Sequence, residues 1–421
     1  MIRKTLCILA LANLSCAFAQ DGTSSPYSYY GIGEGNFKGV NEIRHMGSLA
    51  VYTDSLHMNT LNPASYSKLD RATFSLGASY KSNNYSTTSN SSKNQTGSFD
   101  YLAINIPAGK FGIGVGIAPE SFSGYKISNQ TNSQNMTIEN TYSGNGGLNN
   151  AFLGLGYSIT KNLSVGAQAN YIFGTVTNNT TKYIVNNGDN LALNTGAQQV
   201  ISNKYSGLDY QFAVNYIQPI DNKNSLHFNG IFSPETKLTN DNTSNFNFIT
   251  LSESGNTSTQ NISSVTSKKD MITPMKYSAG IGYGNSMKWF IGAEYTLTNN
   301  EAYNKYLTYD SAYYQDAQKI SIGGFYTPKY NSFTNYLDIV TYRAGFKYEN
   351  TGLVINNENI NDISGSIGFG LPVGRFASSL NIGFEYGQKG STNNNLVKQD
   401  YFSVSVGFSF NDRWFEKRKF E

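Results

Sequence analysis

The sequence predicts an all-β protein: a transmembrane antiparallel β-barrel of about 14 strands with an N-terminal plug inside its lumen. Apolar residues alternate with small or polar residues along many segments after residue 70, as expected of strands with one lipid face and one lumen face. Charged residues make up only 14% of the chain and aromatic residues another 14%, whereas soluble domains carry about 25% charge. A transmembrane β-barrel explains both features.

Residues 1–19 are predicted to be a signal peptide. Arg3 and Lys4 form a basic start, residues 6–14 form a short apolar run, and Ala17-Phe18-Ala19 supplies small residues at a cleavage site. The apolar run is too short to span a bilayer, which disfavours a membrane anchor. Both cysteines lie in or beside this run, so the predicted mature chain contains no disulfide.

Residues 20–70 are predicted to form the plug, because they show no clean two-residue alternation. The segment is rich in glycine, which permits tight bends, and residues 41–46 are expected to form a short helix. It ends on the turn Asn62-Pro63-Ala64. Its apolar surface is too small for it to fold alone, so it is expected to pack against the inside of the barrel.

Residues 71–421 are predicted to form the wall, with fourteen alternating segments. In the last of them, for example, Phe402, Val404 and Val406 share one face and Ser403 and Ser405 the other. The segments are residues 71–80, 101–106, a strand from 111 onwards, 151–158, 163–176, 208–217, 225–232, 275–284, 287–297, 316–326, 339–348, 363–371, 376–387 and 401–410.

Short and long links alternate between these segments, which is typical of outer-membrane barrels with short periplasmic turns. The long polar links comprise residues 81–97, the region before 147, residues 178–207 and residues 234–273. This rhythm predicts that both chain termini lie at the short-turn end. One short-side link, residues 327–338, is long for a turn and is expected to hold a small helix. A soluble β-sandwich or β-helix would explain the alternation but not this rhythm.

Catalytic chemistry is not indicated. The three histidines, His45, His57 and His227, have no nucleophile motif beside them, and no His/Cys set has metal-ligand spacing. The sequence therefore predicts neither an enzyme nor a cofactor, and no nucleic-acid partner. An outer-membrane hydrolase remains an alternative if His227 faces the lumen next to a serine.

The mature chain resembles the FadL/TodX family of outer-membrane hydrophobe transporters. The resemblance depends on the Asn62-Pro63-Ala64 turn between the plug and the first strand. Residues 25–33 and 411–415 are similar to Bacteroidetes members of that clan. The resemblance implies that a hydrophobe enters near the outer mouth, passes down the lumen and leaves sideways through a gap made by a kinked strand.

The matching kink would lie in the third strand, whose alternation breaks at Pro119, shortly before Phe122. Proline removes a ladder donor and occurs at edges or bulges. Alternatively, the strand ends at Pro119 and a loop begins. The glycines at 112, 114 and 116 leave the inner wall bare, so the predicted ligand path or lateral gate consists of Gly112, Gly114, Gly116, Pro119 and Phe122. The same glycines also suit close packing of the plug or bending of the sheet.

The expected function is passage of small hydrophobic molecules, such as long-chain fatty acids, across the outer membrane of a Gram-negative bacterium. The expected partners are outer-membrane lipid and a small hydrophobic ligand. The loops are rich in Asn, Ser and Thr, which suits protein contact as well as ligand capture. A FadL-like binding or shuttle barrel with partners from a type IX-like secretion system is therefore the alternative, together with a structural outer-membrane protein.

Overall fold

The computed structural model describes residues 22–133, 136–186, 195–251, 257–285, 287–307, 309–373 and 378–412. The predicted signal peptide, residues 1–19, and the end of the C-terminal motif, residues 413–415, lie outside these ranges.

The described residues form eighteen strands and a few short helices. The strands are β1 Glu34–Gly35, β2 Ala72–Ser86, β3 Ser91–Ala108, β4 Phe111–Ser133, β5 Met136–Ser158, β6 Leu163–Asn186, β7 Thr195–Pro219, β8 Ser225–Ser233, β9 Thr236–Leu251, β10 Thr257–Thr273, β11 Lys276–Asn285, β12 Trp289–Thr298, β13 Ala312–Tyr314, β14 Ala317–Tyr326, β15 Thr341–Ile355, β16 Glu358–Pro372, β17 Ser379–Lys389 and β18 Lys398–Asp412. The α-helices are α1 Asn41–Arg44 and α2 Tyr336–Ile339, and the 3-10 helices are Pro26–Tyr29, Pro63–Lys68, Asn300–Lys305 and Asn393–Asn395. Within the described ranges, no helix is long and apolar enough to cross a membrane.

Fourteen of these strands close into an antiparallel barrel. Neighbouring strands pair in chain order, except that β8 pairs directly with β11 and β12 with β14. The pairing of β18 with β2, from Lys398↔Ser86 to Asp412↔Ala72, closes the ring. Each of the fourteen predicted segments falls on one barrel strand, so the all-β class and the strand count are confirmed. The expected helices at 41–46 and 327–338 correspond to α1 and α2.

The two faces of the wall differ as the alternation predicts. On β18, Phe402, Val406 and Phe410 are exposed on the outer face, whereas Ser405 and Ser409 are buried on the inner face. The side chains of a strand point alternately to its two faces. The barrel therefore presents an apolar exterior and a largely polar interior.

The prediction that the four long polar links are loops is wrong, because most of their residues lie in β-strands. β4 runs to Ser133 and β5 begins at Met136, so this hairpin extends far beyond the last apolar alternation. The link predicted at 234–273 is the hairpin of β9 and β10. Asn, Ser and Thr occupy both faces of these strands, so the sequence shows no periodic apolar signal. Thr nevertheless favours extended backbone, and pairing with a neighbouring strand satisfies the backbone N–H and C=O groups.

The described start of the N-terminal segment, residues 22–70, lies at the opposite end of the barrel from the one predicted for the N-terminus. The Ser24 hydroxyl lies 2.8 Å from the Tyr85 hydroxyl, and Ser25 donates to Gln399 at 2.8 Å, both at the long-hairpin end of the barrel. At the other end of the segment, the Lys68 ammonium donates to the Lys161 carbonyl in a short turn, at 2.9 Å. The described N-terminal residues therefore lie at the long-hairpin end, while β18 ends at the short-turn end.

Pairs of glycines on neighbouring strands face the N-terminal segment. Gly112 pairs with Gly156, and Gly114 pairs with Gly154, beneath Tyr66. A Cβ atom on Gly112 would stand 2.0 Å from the Tyr66 carbonyl oxygen, and one on Gly154 would stand 2.6 Å from its ring. Side chains at these positions would exclude the segment from the wall.

The opposite side of the barrel repeats this arrangement beneath the residues that follow α1. Gly323 pairs with Gly345, and a Cβ atom on Gly345 would stand 1.9 Å from the Gly47 nitrogen. Gly368 pairs with Gly383, where a Cβ atom would stand 2.0 Å from the His45 ring. Paired glycines thus let the N-terminal segment approach the wall at several places.

We expect Tyr66→Ala to loosen the N-terminal segment. Tyr66 is 0% exposed, and its hydroxyl donates to Gln168 at 2.7 Å. Removing a large buried aromatic side chain costs about 3–5 kcal/mol, which should increase proteolysis and amide exchange of residues 22–70. Tyr66→Phe is the matched control, since it retains the ring and should cost only about 1 kcal/mol. Equal protection of the segment in both variants would contradict this packing.

Candidate functional site

The wall between β3 and β4 is paired over only part of its length. The ladder runs from Ala108↔Phe111 to Leu102↔Ile117 and stops there. Beyond it, β3 continues back to Ser91 in pairing with β2, and β4 continues to Ser133 in pairing with β5. Within the described residues, no backbone ladder joins β3 to β4 above Ile117. This interval is called the β3–β4 gap below.

A bulge in β4 lies at the start of the gap. Pro119 pairs with Asn149 and Ser121 with Leu148, which leaves Glu120 as an extra residue. A bulge bends its strand and increases the local twist, and proline has no N–H to offer a neighbour. The alternative that the strand ends at Pro119 is wrong, because β4 continues to Ser133.

The N-terminal segment provides a partner for β4 at the gap. β1 pairs there in the register Glu34↔Phe122 and Gly35↔Ser121. Just after β1, the amide of Asn36 donates to the Glu120 carbonyl at 3.0 Å. These hydrogen bonds satisfy some of the backbone N–H and C=O groups on the edge of β4 that does not pair with β3.

The close approach of the two backbones requires glycine at position 33. Gly33 has φ +95°, and a Cβ atom there would stand 2.4 Å from the Phe122 carbonyl oxygen. Nearby, the Ser121 hydroxyl donates to the Ile32 carbonyl at 2.6 Å. The fit between β1 and β4 is therefore specific to this stretch of the N-terminal segment.

Ion pairs hold β1 on both sides. The bulge residue Glu120 forms a salt bridge with Lys38. On the other side, Glu34 forms a salt bridge with Lys389 of β17 at 2.9 Å and accepts a hydrogen bond from Thr23 at 2.5 Å. Burial alone would raise the pKa of Glu34, but Lys389 and then Lys81 lower it to about 2. Glu34 is thus ionised at neutral pH and ties β1 to the barrel.

The predicted site residues fall in two places. Pro119 and Phe122 lie at the β3–β4 gap. Gly112 and Gly114 instead lie beneath Tyr66, and a Cβ atom on Gly116 would stand 2.4 Å from the Leu102 carbonyl oxygen. Sequence reasoning missed the residues that occupy the gap from inside, Glu34, Gly35 and Lys38. The sequence signal that could have identified them is the presence of two charged residues in a segment expected to be enclosed by the barrel.

The Asn62-Pro63-Ala64 turn is the start of a 3-10 helix. The Asn62 side-chain oxygen accepts from the Ala64 amide at 3.1 Å, and its NH₂ group donates to the Ala50 carbonyl at 3.2 Å. Asparagine is a favoured cap and proline suits the first helical position. A Cβ atom on Gly166 would stand 2.3 Å from the Ala64 nitrogen, so the turn also lies directly on the wall.

The geometry around His227 does not form a catalytic triad. The Ser225 hydroxyl lies 2.9 Å from Nε2 of His227. Nδ1 of His227 is buried with no hydrogen-bond partner among the described residues, and the ring packs edge-on against Phe290. A triad needs a third group that orients the histidine. Among the described residues, no group of three His, Cys, Asp or Glu is placed to hold a metal ion.

An apolar recess of about 860 Å³ lies on the outer face of the barrel, across β5, β6, β7, β8, β11 and β12. The small residues Ala167, Gly230 and Ala279 lie among larger apolar side chains such as Phe212 and Tyr277. These residues are exposed on the apolar exterior, so the recess is separate from the β3–β4 gap.

Comparison with solved structures agrees with the barrel fold. The toluene transporter TodX of Pseudomonas putida has a TM-score of 0.61 at 15% identity, over 90% of this chain and 99% of that chain. The toluene transporter TbuX of Ralstonia pickettii has a TM-score of 0.57 at 15% identity, over 89% and 98%. A FadL homologue of Pseudomonas aeruginosa has a TM-score of 0.52 at 12% identity, over 90% and 98%. A search of the curated proteins finds no match.

The fold is therefore a fourteen-stranded barrel of the FadL/TodX type. A family model described as BamG matches residues 1–421. The chain belongs to the BamG family.

A further ionic contact lies within the N-terminal segment itself. Oδ2 of Asp54 lies 2.6 Å from Nδ1 of His57 and accepts from the Tyr52 hydroxyl at 2.7 Å. Burial would lower the pKa of His57, but Asp54 raises it above its ordinary value. Burial would raise the pKa of Asp54, but His57 holds it well below its ordinary value.

We expect the local structure of the N-terminal segment around residues 52–57 to weaken as pH rises through the raised pKa of His57. The stabilisation is fully present below about pH 6.5, the pKa of a solvated histidine, and is lost above the folded-state pKa. Amide exchange of residues 50–60 measured between about pH 6 and 9, corrected for intrinsic exchange, checks this. His57→Gln should remove the dependence. An unchanged pH profile in that variant would contradict the assignment.

Proposed function

We propose that the protein gives small hydrophobic molecules, such as long-chain fatty acids, passage across the outer membrane of a Gram-negative bacterium of the Bacteroidetes. The observation that carries this proposal is the β3–β4 gap, where the β3–β4 ladder stops at Leu102↔Ile117 and β1 replaces β3 as the described partner on that edge of β4. The apolar exterior suits lipid. A gap in the wall between two such strands would connect the lumen to the hydrocarbon of the membrane.

The N-terminal segment would act as the plug of this barrel. It packs on paired glycines of the inner face and reaches from the long-hairpin end to Lys68 at the short-turn end. In the outer membrane the long hairpins would face the cell exterior and the short turns the periplasm. A hydrophobe entering from outside would then meet residues 22–36 before it reached the gap.

Sideways exit would require β1 to leave β4. The hydrogen bonds at β1 and Asn36 contribute about 0.5–1.5 kcal/mol each, and the Lys38–Glu120 and Glu34–Lys389 ion pairs would also have to break. Passage would need neither catalysis nor a cofactor, because the concentration gradient of the hydrophobe would drive it.

We expect a disulfide between β1 and β4 to slow the uptake of a hydrophobe. The variant is Gly35→Cys with Ser121→Cys, a directly paired position at which a Cβ atom on Gly35 meets open space. Paired antiparallel residues lie close enough for a disulfide. The measurement is uptake of a fluorescent long-chain fatty acid by cells that express the oxidised variant. Reduction should restore the rate.

The matched control places a disulfide elsewhere in the sheet. Ser202 and Thr243 are directly paired on β7 and β9, away from the gap and the N-terminal segment. Ser202→Cys with Thr243→Cys should form a disulfide without affecting uptake. If uptake is the same with the β1–β4 disulfide fully formed, sideways exit at the gap is excluded.

A second candidate function is a binding or shuttle barrel that serves protein secretion. The specific observation in its favour is the set of polar strand extensions: β4, β5, β6 and β7 are each more than 20 residues long. About 9–11 residues suffice to cross a membrane, so these strands would project well beyond it. Purification in mild detergent separates the candidates, because a stoichiometric hydrophobe favours transport and a stoichiometric secretion protein favours the shuttle.

A further inference from the structure

The strand extensions form a sheet that continues beyond the closed barrel, in the order β4, β5, β6, β7, β9 and β10. Within it, β7 pairs with β9 from Thr195↔Thr250 to Gly207↔Leu238. β10 then pairs with β9 from Thr257↔Leu251 to Thr273↔Thr236. Above the closed wall this sheet has two edges, which are β4 and β10.

The two edges differ in how they are covered. The lower part of the β4 edge is covered by the N-terminal segment, through β1 and through the Gly124 amide, which donates to the Ser28 hydroxyl at 3.1 Å. In contrast, β9 is the one pairing partner of β10 among the described residues, and residues 258–266 are all exposed. The outer edge of β10 therefore offers free backbone donors and acceptors along most of its length.

The exposed part of β10 lacks most of the features that usually protect such an edge. Proteins protect free edges with charges, prolines or bulges. Residues 257–267 contain no charge and no proline, and charge begins only at Lys268 and Lys269. One bulge lies at Ile262. Threonine, isoleucine and valine in this stretch favour extended backbone.

Apolar side chains lie beside this edge. Phe248 is opposite Gln260, and Phe246 is opposite Ser263. Since side chains two residues apart share a face, Val265 lies on the same face as Ser263 and Phe246. The exposed fractions of Phe246, Phe248, Ile262 and Val265 are 45%, 44%, 57% and 61%. A strand added to β10 would find both backbone partners and an apolar strip.

We propose that the outer edge of β10 is a docking site for an extended segment of another polypeptide, which adds to the sheet as a further strand. In such β-augmentation the backbone bonds give affinity and alternate side chains give specificity. The fitting segment is uncharged where it meets residues 257–267 and apolar at alternate positions facing Phe246 and Val265. This inference deepens the second candidate function and is independent of hydrophobe passage.

Amide exchange of residues 258–267 tests the proposal. It is measured by mass spectrometry on the full chain in isolated outer membranes, and again after purification in detergent. An added strand should slow exchange of the amides that it binds by at least about tenfold in the membranes only. Equal exchange in both samples would overturn the proposal. Protection that persists after purification and grows with protein concentration would also overturn it, because the occupant would then be a second copy.

Two variants show whether the protection comes from this edge. Ile262→Lys with Val265→Lys introduces charges that disfavour strand addition, and it should abolish the protection while leaving the barrel folded. Thr239→Lys places one such charge on the exposed, fully paired strand β9 and should retain the protection. Fatty-acid uptake in the same cells should be unchanged in both variants. Failure of the docking proposal can therefore be distinguished from failure of the transport proposal.

Discussion

The close contact between the N-terminal segment and paired glycines of the wall is the constraint on which the rest of the structure depends. The segment lies close to the wall because the wall has no side chains at Gly112, Gly156, Gly323 and Gly345. Contact at van der Waals distance over many atoms stabilises the segment, although each contact contributes little. Polar groups of the segment then meet polar groups of the inner wall.

The position of the segment explains why the β3–β4 gap has a partner. The segment is anchored at the long-hairpin end by Ser25 and at the short-turn end by Lys68, and β1 lies against β4 on the way. The bulge at Glu120 bends β4 where its ladder with β3 stops, and an unpaired strand edge is costly when buried. The bulge therefore bends β4 where its pairing with β3 stops, and β1 pairs with the edge of β4 that is left free.

The barrel and the projecting sheet present different chemistry to different surroundings. The lower wall is apolar outside and polar inside, which suits a bilayer around a lumen. The projecting sheet carries Asn, Ser and Thr on both faces and keeps β10 as an open edge. A hydrophobe path through the wall and a protein contact at the sheet would use separate surfaces, so one barrel could support both.

The sequence alone determined the fourteen strands, the short turns and the Asn62-Pro63-Ala64 turn, because a two-residue period and turn chemistry are local properties. It also placed Pro119 at an interruption of β4. Only the tertiary structure decided which glycines pair, since register joins residues as distant as Gly112 and Gly156. Nothing local in the sequence indicated at which end of the barrel the N-terminal segment begins, that the polar links are strand extensions, or that the edge of β10 is open. Their positions depend on contacts between distant parts of the chain, and polar residues on both faces leave no period to detect.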